Sequence, residues 1–158
     1  MAPTVYIDTT IPSYYVDRRE SLRVHSDRTR VWWNQETGLY QVFASPLVIR
    51  ELEEGDFPGK AEALRMMREM PLLAPNPDIA SIVREYLEHH VMPRSDDRDA
   101  WHLAFASFYK MDYLLTWNCA HLANVNKRRH ITRINQTLGL YVPIITTPLE
   151  LLPPESEF

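Results

Sequence analysis

The stretch Thr4-Val5-Tyr6-Ile7-Asp8 decides the fold, because it is a short run of β-forming residues that ends at a carboxylate. The Thr-Thr-Ile-Pro that begins right after this carboxylate indicates the exit from a strand, and a helical region is predicted from Pro12. A strand followed directly by a helix is the repeating unit of α/β folds. The rest of the chain is expected to repeat it.

Strands and helices do alternate along the remaining sequence. Further β-rich runs are YQVFA, YLLT and VPIIT, at residues 40–44, 113–116 and 142–146. Helices are predicted at about 26–37, from the proline-started helix at 46 to near 55, and at 61–70, 78–90 and 96–110. Because helices separate each strand from the next, we predict a parallel sheet covered by helices on both faces.

The region after the third strand has a less regular apolar pattern. Leu122 and Val125 are out of phase with Ile131 and the apolar positions that follow it, since six residues turn a helix by about 240° net. We therefore predict two short helices joined near 127–129. Ser45, which precedes the proline-started helix, is predicted to be its N-cap.

Composition indicates one soluble domain over residues 1–158, with 149–158 as a short and frayed C-terminal tail. The chain is 45% hydrophobic and 24% charged, which is ordinary for a globular protein of 158 residues. No apolar run approaches the ~20 residues of a membrane helix. The single cysteine, Cys119, has no partner for an internal disulfide. We expect a cytoplasmic protein without membrane contact.

Several function classes are excluded by what the sequence lacks. The net charge of −4 argues against binding nucleic acid by bulk positive charge alone, although local contact remains possible. The four glycines are scattered, and neither G-x-G-x-x-G nor G-x-x-x-x-G-K-[ST] occurs. Dinucleotide-binding and P-loop sites are therefore not expected.

Oxygen-bearing side chains are expected to meet at one edge of the predicted sheet. Asp8 ends the first strand, and Thr116 and Asn118 follow the third. Glu51 falls in the second turn of the helix after strand two, and Asp99 in the first turn of the helix before strand three. Open α/β sheets bind ligands beyond the carboxyl ends of their strands. Hard oxygen ligands of this kind suit Mg²⁺ or Mn²⁺.

The same acids also have structural interpretations. Asp8 and Asn118 can each cap the helix that follows, and Asp99 lies three residues after Asp96, the spacing of a capping box. Glu51 lies near other acids, where a solvated charge is usual, yet its spacing from Val48 and Leu47 puts it at the margin of an apolar face.

Histidines and tryptophans near these acids are interpreted as structural. His102 and His121 are expected to be hydrogen-bonded core or rim histidines, because the other candidate ligands are all oxygen. The tryptophans are expected to pack inside the protein rather than to stack on bases; they are Trp32, Trp33, Trp101 and Trp117.

Four segments together resemble the signature regions of PIN-domain proteins of the VapC type. They are V-Y-I-D-T-T-I-P-S at 5–13, S-P-L-V-I-R-E-L-E-E-G at 45–55, D-A-W-H-L-A-F-A-S at 99–107 and D-Y-L-L-T-W-N-C-A-H-L-A-N at 112–124. Their order and approximate spacing match, and the resemblance covers nearly the whole chain. It implies a PIN-like three-layer α/β/α sandwich with a central, mainly parallel sheet of four to five strands.

The resemblance also implies roles for individual residues. Asp8, Glu51 and Asp99 fall on the first three acidic positions of the family and would hold Mg²⁺ or Mn²⁺. Asn118 falls where many members have a fourth acid, so the chain departs from the family there. Its amide oxygen can still coordinate, but one negative charge is missing. Thr116 matches a hydroxyl position near the site, and His102 is expected to support the ligands from behind.

The function implied by the resemblance is that of a Mg²⁺-dependent endoribonuclease, a toxin that dimerises and is neutralised by a small antitoxin. RNA contact needs local positive charge. No acidic residue occurs from 116 to 148, while that stretch contains the cations Lys127, Arg128, Arg129 and Arg133. These cations are interpreted as a phosphate-binding surface, with an ordinary solvated face as the alternative. The alternative function is a catalytically weak PIN-fold protein that binds RNA or regulates.

Overall fold

The computed structural model describes residues 1–153, and its centre is a four-stranded, all-parallel sheet. The strands are β1 Thr4–Ile7, β2 Gln41–Phe43, β3 Tyr113–Leu115 and β4 Ile144–Thr146. Their order is β2-β1-β3-β4, so β1 lies between β2 and β3. An isolated bridge between Ala44 and Leu72 extends the outer edge without forming a fifth strand among the described residues. The frayed tail was predicted at 149–158; residues 154–158 lie outside the described residues, and the prediction was wrong for Leu151, which is buried.

Seven α-helices connect and cover the strands in the described part of the chain. They are α1 Thr10–Val16, α2 Arg23–Val31, α3 Pro46–Glu54, α4 Lys60–Arg68, α5 Pro77–Glu88, α6 Arg98–Phe108 and α7 Val125–Thr137. A π-helical turn, Trp32–Glu36, continues α2. Within residues 1–153, no helix is both long enough and apolar enough to span a lipid bilayer.

Two hydrophobic clusters lie on opposite faces of the sheet. Successive strand residues point to opposite faces, and accordingly Val5 and Ile7 join one cluster while Tyr6 joins the other. The first cluster takes its helical residues mainly from α1, α3 and α4, and the second mainly from α5, α6 and α7. The predicted α/β/α sandwich with a parallel sheet is confirmed.

The region after β3 differs from its prediction. One continuous helix, α7, replaces the two short helices predicted around 127–129. Leu122 is buried in the turn before α7, while Val125, its first residue, is 70% exposed. The prediction was wrong because it treated Leu122 as helical, and the buried stripe of α7 in fact begins at Ile131.

Ser45 also differs from its predicted role. It precedes α3 with extended backbone, as an N-cap does, and Pro46 follows it at the first helical position. Its hydroxyl makes no capping bond, however, and lies 2.8 Å from the Tyr6 hydroxyl instead. The side chain therefore connects α3 to β1 through the core.

Candidate active site at the carboxyl edge of the sheet

Asp8 follows β1 and is fixed in one orientation. Only 2% of the residue is exposed. Its Oδ1 accepts hydrogen bonds from the amide (3.0 Å) and the hydroxyl of Thr10, and its Oδ2 accepts one from the Thr116 hydroxyl. The bond from the Thr10 amide is of the kind that a helix cap makes, as one interpretation of Asp8 predicted. This carboxylate therefore bonds to the first residue of α1 and also lies at the edge of the sheet.

The two threonines that bind Asp8 also hold the loop after β3. The Thr10 hydroxyl accepts the amide of Trp117 at 2.8 Å, and the Thr116 hydroxyl accepts the amide of Asn118 at 2.9 Å. Thr116 was expected near the site and lies there. Thr10 was missed, although the D-T-T sequence contains the signal, since an aspartate commonly accepts from the amide two residues later.

Asp99 and Asn118 are joined directly. The Asn118 Nδ2 donates to Asp99 Oδ2 at 2.7 Å, and Asn118 Oδ1 accepts the His121 amide at 3.0 Å. Asn118 therefore caps the turn that follows β3, rather than a helix, and its amide nitrogen contacts Asp99. The capping box suggested for Asp99 is not formed, because Asp96 accepts from its neighbour Arg98 instead.

Glu51 reaches the site from the second turn of α3. Its Oε1 accepts a 2.6 Å hydrogen bond from Nε2 of His102, which is 2% exposed. The other ring nitrogen, Nδ1, lies 2.7 Å from the Tyr6 hydroxyl. His102 is thus the hydrogen-bonded core histidine that was expected. Tyr6 and Ser45 were missed, because the first looks like an ordinary strand residue and the second like a helix cap.

The charges of Asp8, Glu51 and Asp99 all act on His102. Burial raises the pKa of Asp8, opposed by the charge of His102 and by its threonine hydrogen bonds, and Asp99 raises it further. Burial likewise raises the pKa of Asp99, with His102 opposing. Burial lowers the pKa of His102, but the hydrogen bond and charge of Glu51, together with Asp8 and Asp99, outweigh it, so the net direction is upward. The net direction favours the protonated, positively charged form of His102.

The donor chemistry suits a divalent metal ion, but the carboxylates do not form a ready cluster. Within residues 1–153, no three acidic, histidine or cysteine side chains lie close enough together to hold one metal ion. Among the described hydrogen bonds, Asp99 Oδ1 and Glu51 Oε2 accept none, so hard oxygen ligands are free on both residues. Binding one ion would require these side chains to move towards Asp8.

The four cations of α7 do not form one surface. Successive helical residues are rotated by about 100°, so Lys127 and Arg129 lie on roughly opposite sides of α7. Lys127 donates to the Val91 carbonyl at 2.6 Å. Burial lowers the pKa of Lys127, and the charge of nearby Asp99 opposes this by raising it. Arg128 borders a groove with Ile144 at the β4 edge. Arg129 and Arg133 are exposed, so Lys127 is the cation that lies beside the site.

Comparison with known proteins identifies the fold but no family member by sequence. The structure entitled "Structure of FitAB bound to IR36 DNA fragment" contains a chain that is 14% identical to this one, with a TM-score of 0.56. The match covers 96% of this chain and 99% of that chain. No family model matches the sequence, and no curated protein does. At this identity the likeness shows a shared fold, the PIN-like α/β/α sandwich.

Proposed function

We propose that this protein is a metal-dependent nuclease of the PIN type that hydrolyses RNA phosphodiester bonds. The observation that carries the proposal is the convergence of Asp8, Glu51 and Asp99 around His102 at the carboxyl edge of the two central strands. Ligands bind at this edge in open α/β sheets. The fold shared with FitAB agrees with a nuclease scaffold.

The three carboxylates would hold Mg²⁺ or Mn²⁺, which when bound supplies a Lewis acid for the phosphoryl group and a water of lowered pKa. Asp8 is fixed by its threonine bonds and provides the rigid ligand. Asn118 orients Asp99 through its amide. Either Glu51 Oε2 or Asp99 Oδ1 would accept a proton from the attacking water, and that carboxylate would then hold the metal ion through a water rather than directly. Lys127, whose pKa the charge of Asp99 raises, would exchange its bond to the Val91 carbonyl for one to the substrate phosphate.

The proposed partners are a small antitoxin and a second copy of the chain. The structural likeness to a chain of FitAB supports a comparable pairing, which we propose takes place in the cytoplasm. A groove next to the site, about 490 Å³ in volume, would accept an apolar segment of such a partner. It is lined by Pro46, Leu47, Ile49, Arg50, Glu53, Pro75, Trp101 and Phe105.

A catalytically weak RNA-binding protein is the second candidate. Two observations favour it: Asn118 replaces the fourth acid of the related pattern, and no three-ligand cluster is formed among the described residues. The two candidates predict different results for the binding of a divalent ion and for the effect of replacing Asp8 on RNA cleavage.

The test compares wild type with Asp8→Asn and Asp78→Asn. Asp78 is an exposed acid in the first turn of α5, so its variant serves as the matched control. Each is incubated with single-stranded RNA of mixed sequence in Mg²⁺, in Mn²⁺ and in chelator. We expect wild type and Asp78→Asn to cleave with either metal and Asp8→Asn to fall to background. Thermal melts should show the same division, since a site filled at 100 times its dissociation constant adds about 2.7 kcal/mol.

Equal cleavage by wild type and Asp8→Asn would identify a contaminating nuclease. RNA binding without metal-dependent cleavage or a metal-dependent melting shift would establish the binding protein instead.

A further inference from the structure

A continuous chain of buried hydrogen bonds leads from the protein core to Glu51. It passes from Ser45 to the Tyr6 hydroxyl (2.8 Å), from Tyr6 to His102 Nδ1 (2.7 Å), and from His102 Nε2 to Glu51 Oε1 (2.6 Å). Ser45 and Tyr6 are fully buried. The chain therefore has one end in the core and one at the site.

We propose that Tyr6, anchored by Ser45, is a positioning residue that fixes the His102 ring and through it holds the Glu51 carboxylate in place. This inference rests on the proposed function for its consequence, because an immobile Glu51 matters only if that carboxylate binds metal or water.

The cost of burying these polar groups supports a positioning role. A buried hydroxyl costs free energy unless it is hydrogen-bonded, and replacing both partners of such a bond by apolar groups of the same shape is often nearly neutral for stability. Tyr6 already stacks on Phe105, with ring centroids 6.2 Å apart and planes 5° from parallel. Phenylalanine would keep that stacking, so the hydroxyl is not needed for packing.

Ser45 provides an independent argument. Helix N-caps usually stabilise a protein by about 1 kcal/mol through a side-chain bond to a free amide. Ser45 stands at the cap position of α3 but directs its hydroxyl to Tyr6. The local stabilisation of α3 is therefore given up for a bond that immobilises Tyr6.

The geometry also explains why Glu51 needs support. A glutamate has three side-chain torsions, and ordering it costs rotamer entropy. The bond from His102 occupies Oε1 and leaves Oε2 free to face the other acids. Because outer partners of this kind orient metal ligands, their loss typically weakens metal binding by about 10- to 100-fold.

The experiment compares Tyr6→Phe with Tyr86→Phe. Tyr86 is also fully buried and its hydroxyl also has two side-chain partners, Ser107 and Asn135, but it lies outside the site. In the metal-free protein, Tyr6→Phe should shift the ring ¹⁵N resonances of His102 and the side-chain carboxyl ¹³C resonance of Glu51. Tyr86→Phe should leave both unchanged. Calorimetric titration with Mn²⁺ should show about tenfold weaker binding for Tyr6→Phe and no more than about twofold for Tyr86→Phe.

Ser45→Ala is the milder variant and should move the same resonances in the same direction by less, which keeps the test valid if Tyr6→Phe does not fold. Unchanged His102 and Glu51 resonances, or equal effects of the two tyrosine variants, would overturn the positioning role. If wild type itself binds no Mn²⁺, the proposed function fails, and the metal-free resonances still decide whether Tyr6 positions Glu51.

Discussion

Two hydrogen-bond networks, one around the buried Tyr6 and one around the buried Tyr86, lie on the same side of the sheet. Only the Tyr6 network reaches the candidate site. Tyr86 of α5 bonds to Asn135 Oδ1 of α7 at 2.6 Å and lies 3.2 Å from Ser107 Oγ of α6. Asn135 also donates to Ser107 and to the Tyr141 carbonyl. The three side chains that form this network, those of Tyr86, Ser107 and Asn135, are buried.

The Tyr6 network has the same ingredients but ends at a carboxylate with a free oxygen. The Tyr86 network is closed, in that it connects three helices and does not reach the site. A charge added within it would have no compensating partner. The open network leads to three acids whose mutual repulsion a bound cation would relieve. The same type of polar group thus stabilises packing in one place and, under the proposed function, supports a metal ligand in the other.

The largest effect is expected from Asn135→Asp, which places a carboxylate in the closed network. Asn135 is fully buried, and one of the two acceptors of its Nδ2 is the Tyr141 carbonyl, which a carboxylate would repel. We expect a loss of about 4 kcal/mol in the free energy of unfolding, as for other unpaired buried charges. Urea unfolding at pH 7 should show that Mg²⁺ restores none of it. Rescue by Mg²⁺ would show that the two networks are not separate.

A smaller effect is expected from alkali. Burial raises the pKa of Tyr86 to about 12, opposed by its hydrogen bonds. Because the raised value favours the neutral phenol in the folded state, its contribution is complete below about pH 10 and is lost as the pH rises towards 12. A shift of this size corresponds to about 2–3 kcal/mol. Urea midpoints at pH 9 and pH 11.5 should differ less for Tyr86→Phe than for wild type. If the two midpoints differ equally in wild type and in Tyr86→Phe, the pKa of Tyr86 is not raised in the folded protein.

The smallest effect is expected from Asn118→Asp, the same chemical change made at the open site. It replaces the bond to Asp99 by a contact between like charges, so the metal-free protein should lose about 1–2 kcal/mol. Here Mg²⁺ should recover the loss, and Mn²⁺ should bind more tightly than to wild type. Chemical denaturation with and without metal measures both. A loss that persists in Mg²⁺ would place Asn118 in a purely structural role.

Local sequence predicted those parts of the site that depend on local structure. Asp8 and Thr116 were identifiable because each lies at the end of a strand, and Asp99 because it begins a helix. The Tyr6 network was not identifiable, since Ser45 lies 39 residues and His102 96 residues from Tyr6 in the chain. No periodicity reports which buried side chains meet across that separation.

The cations of α7 show a second limit. Their density in the sequence was read correctly, but their direction depends on helical phase. One continuous helix places Lys127 near Asp99 and turns Arg129 towards solvent. Arg129 and Arg133, four residues apart, share one side of the helix, and Lys127 lies on roughly the opposite side.

The central position of β1 has a consequence for synthesis. Its inner neighbour β3 begins at Tyr113, seventy residues after β2 ends at Phe43. At about 5–20 residues per second, a ribosome would need roughly 4–14 seconds to supply that strand. During this time one edge of β1 is unpaired and Asp8 lacks Thr116. The nascent chain therefore carries an incomplete candidate site until most of it has been translated.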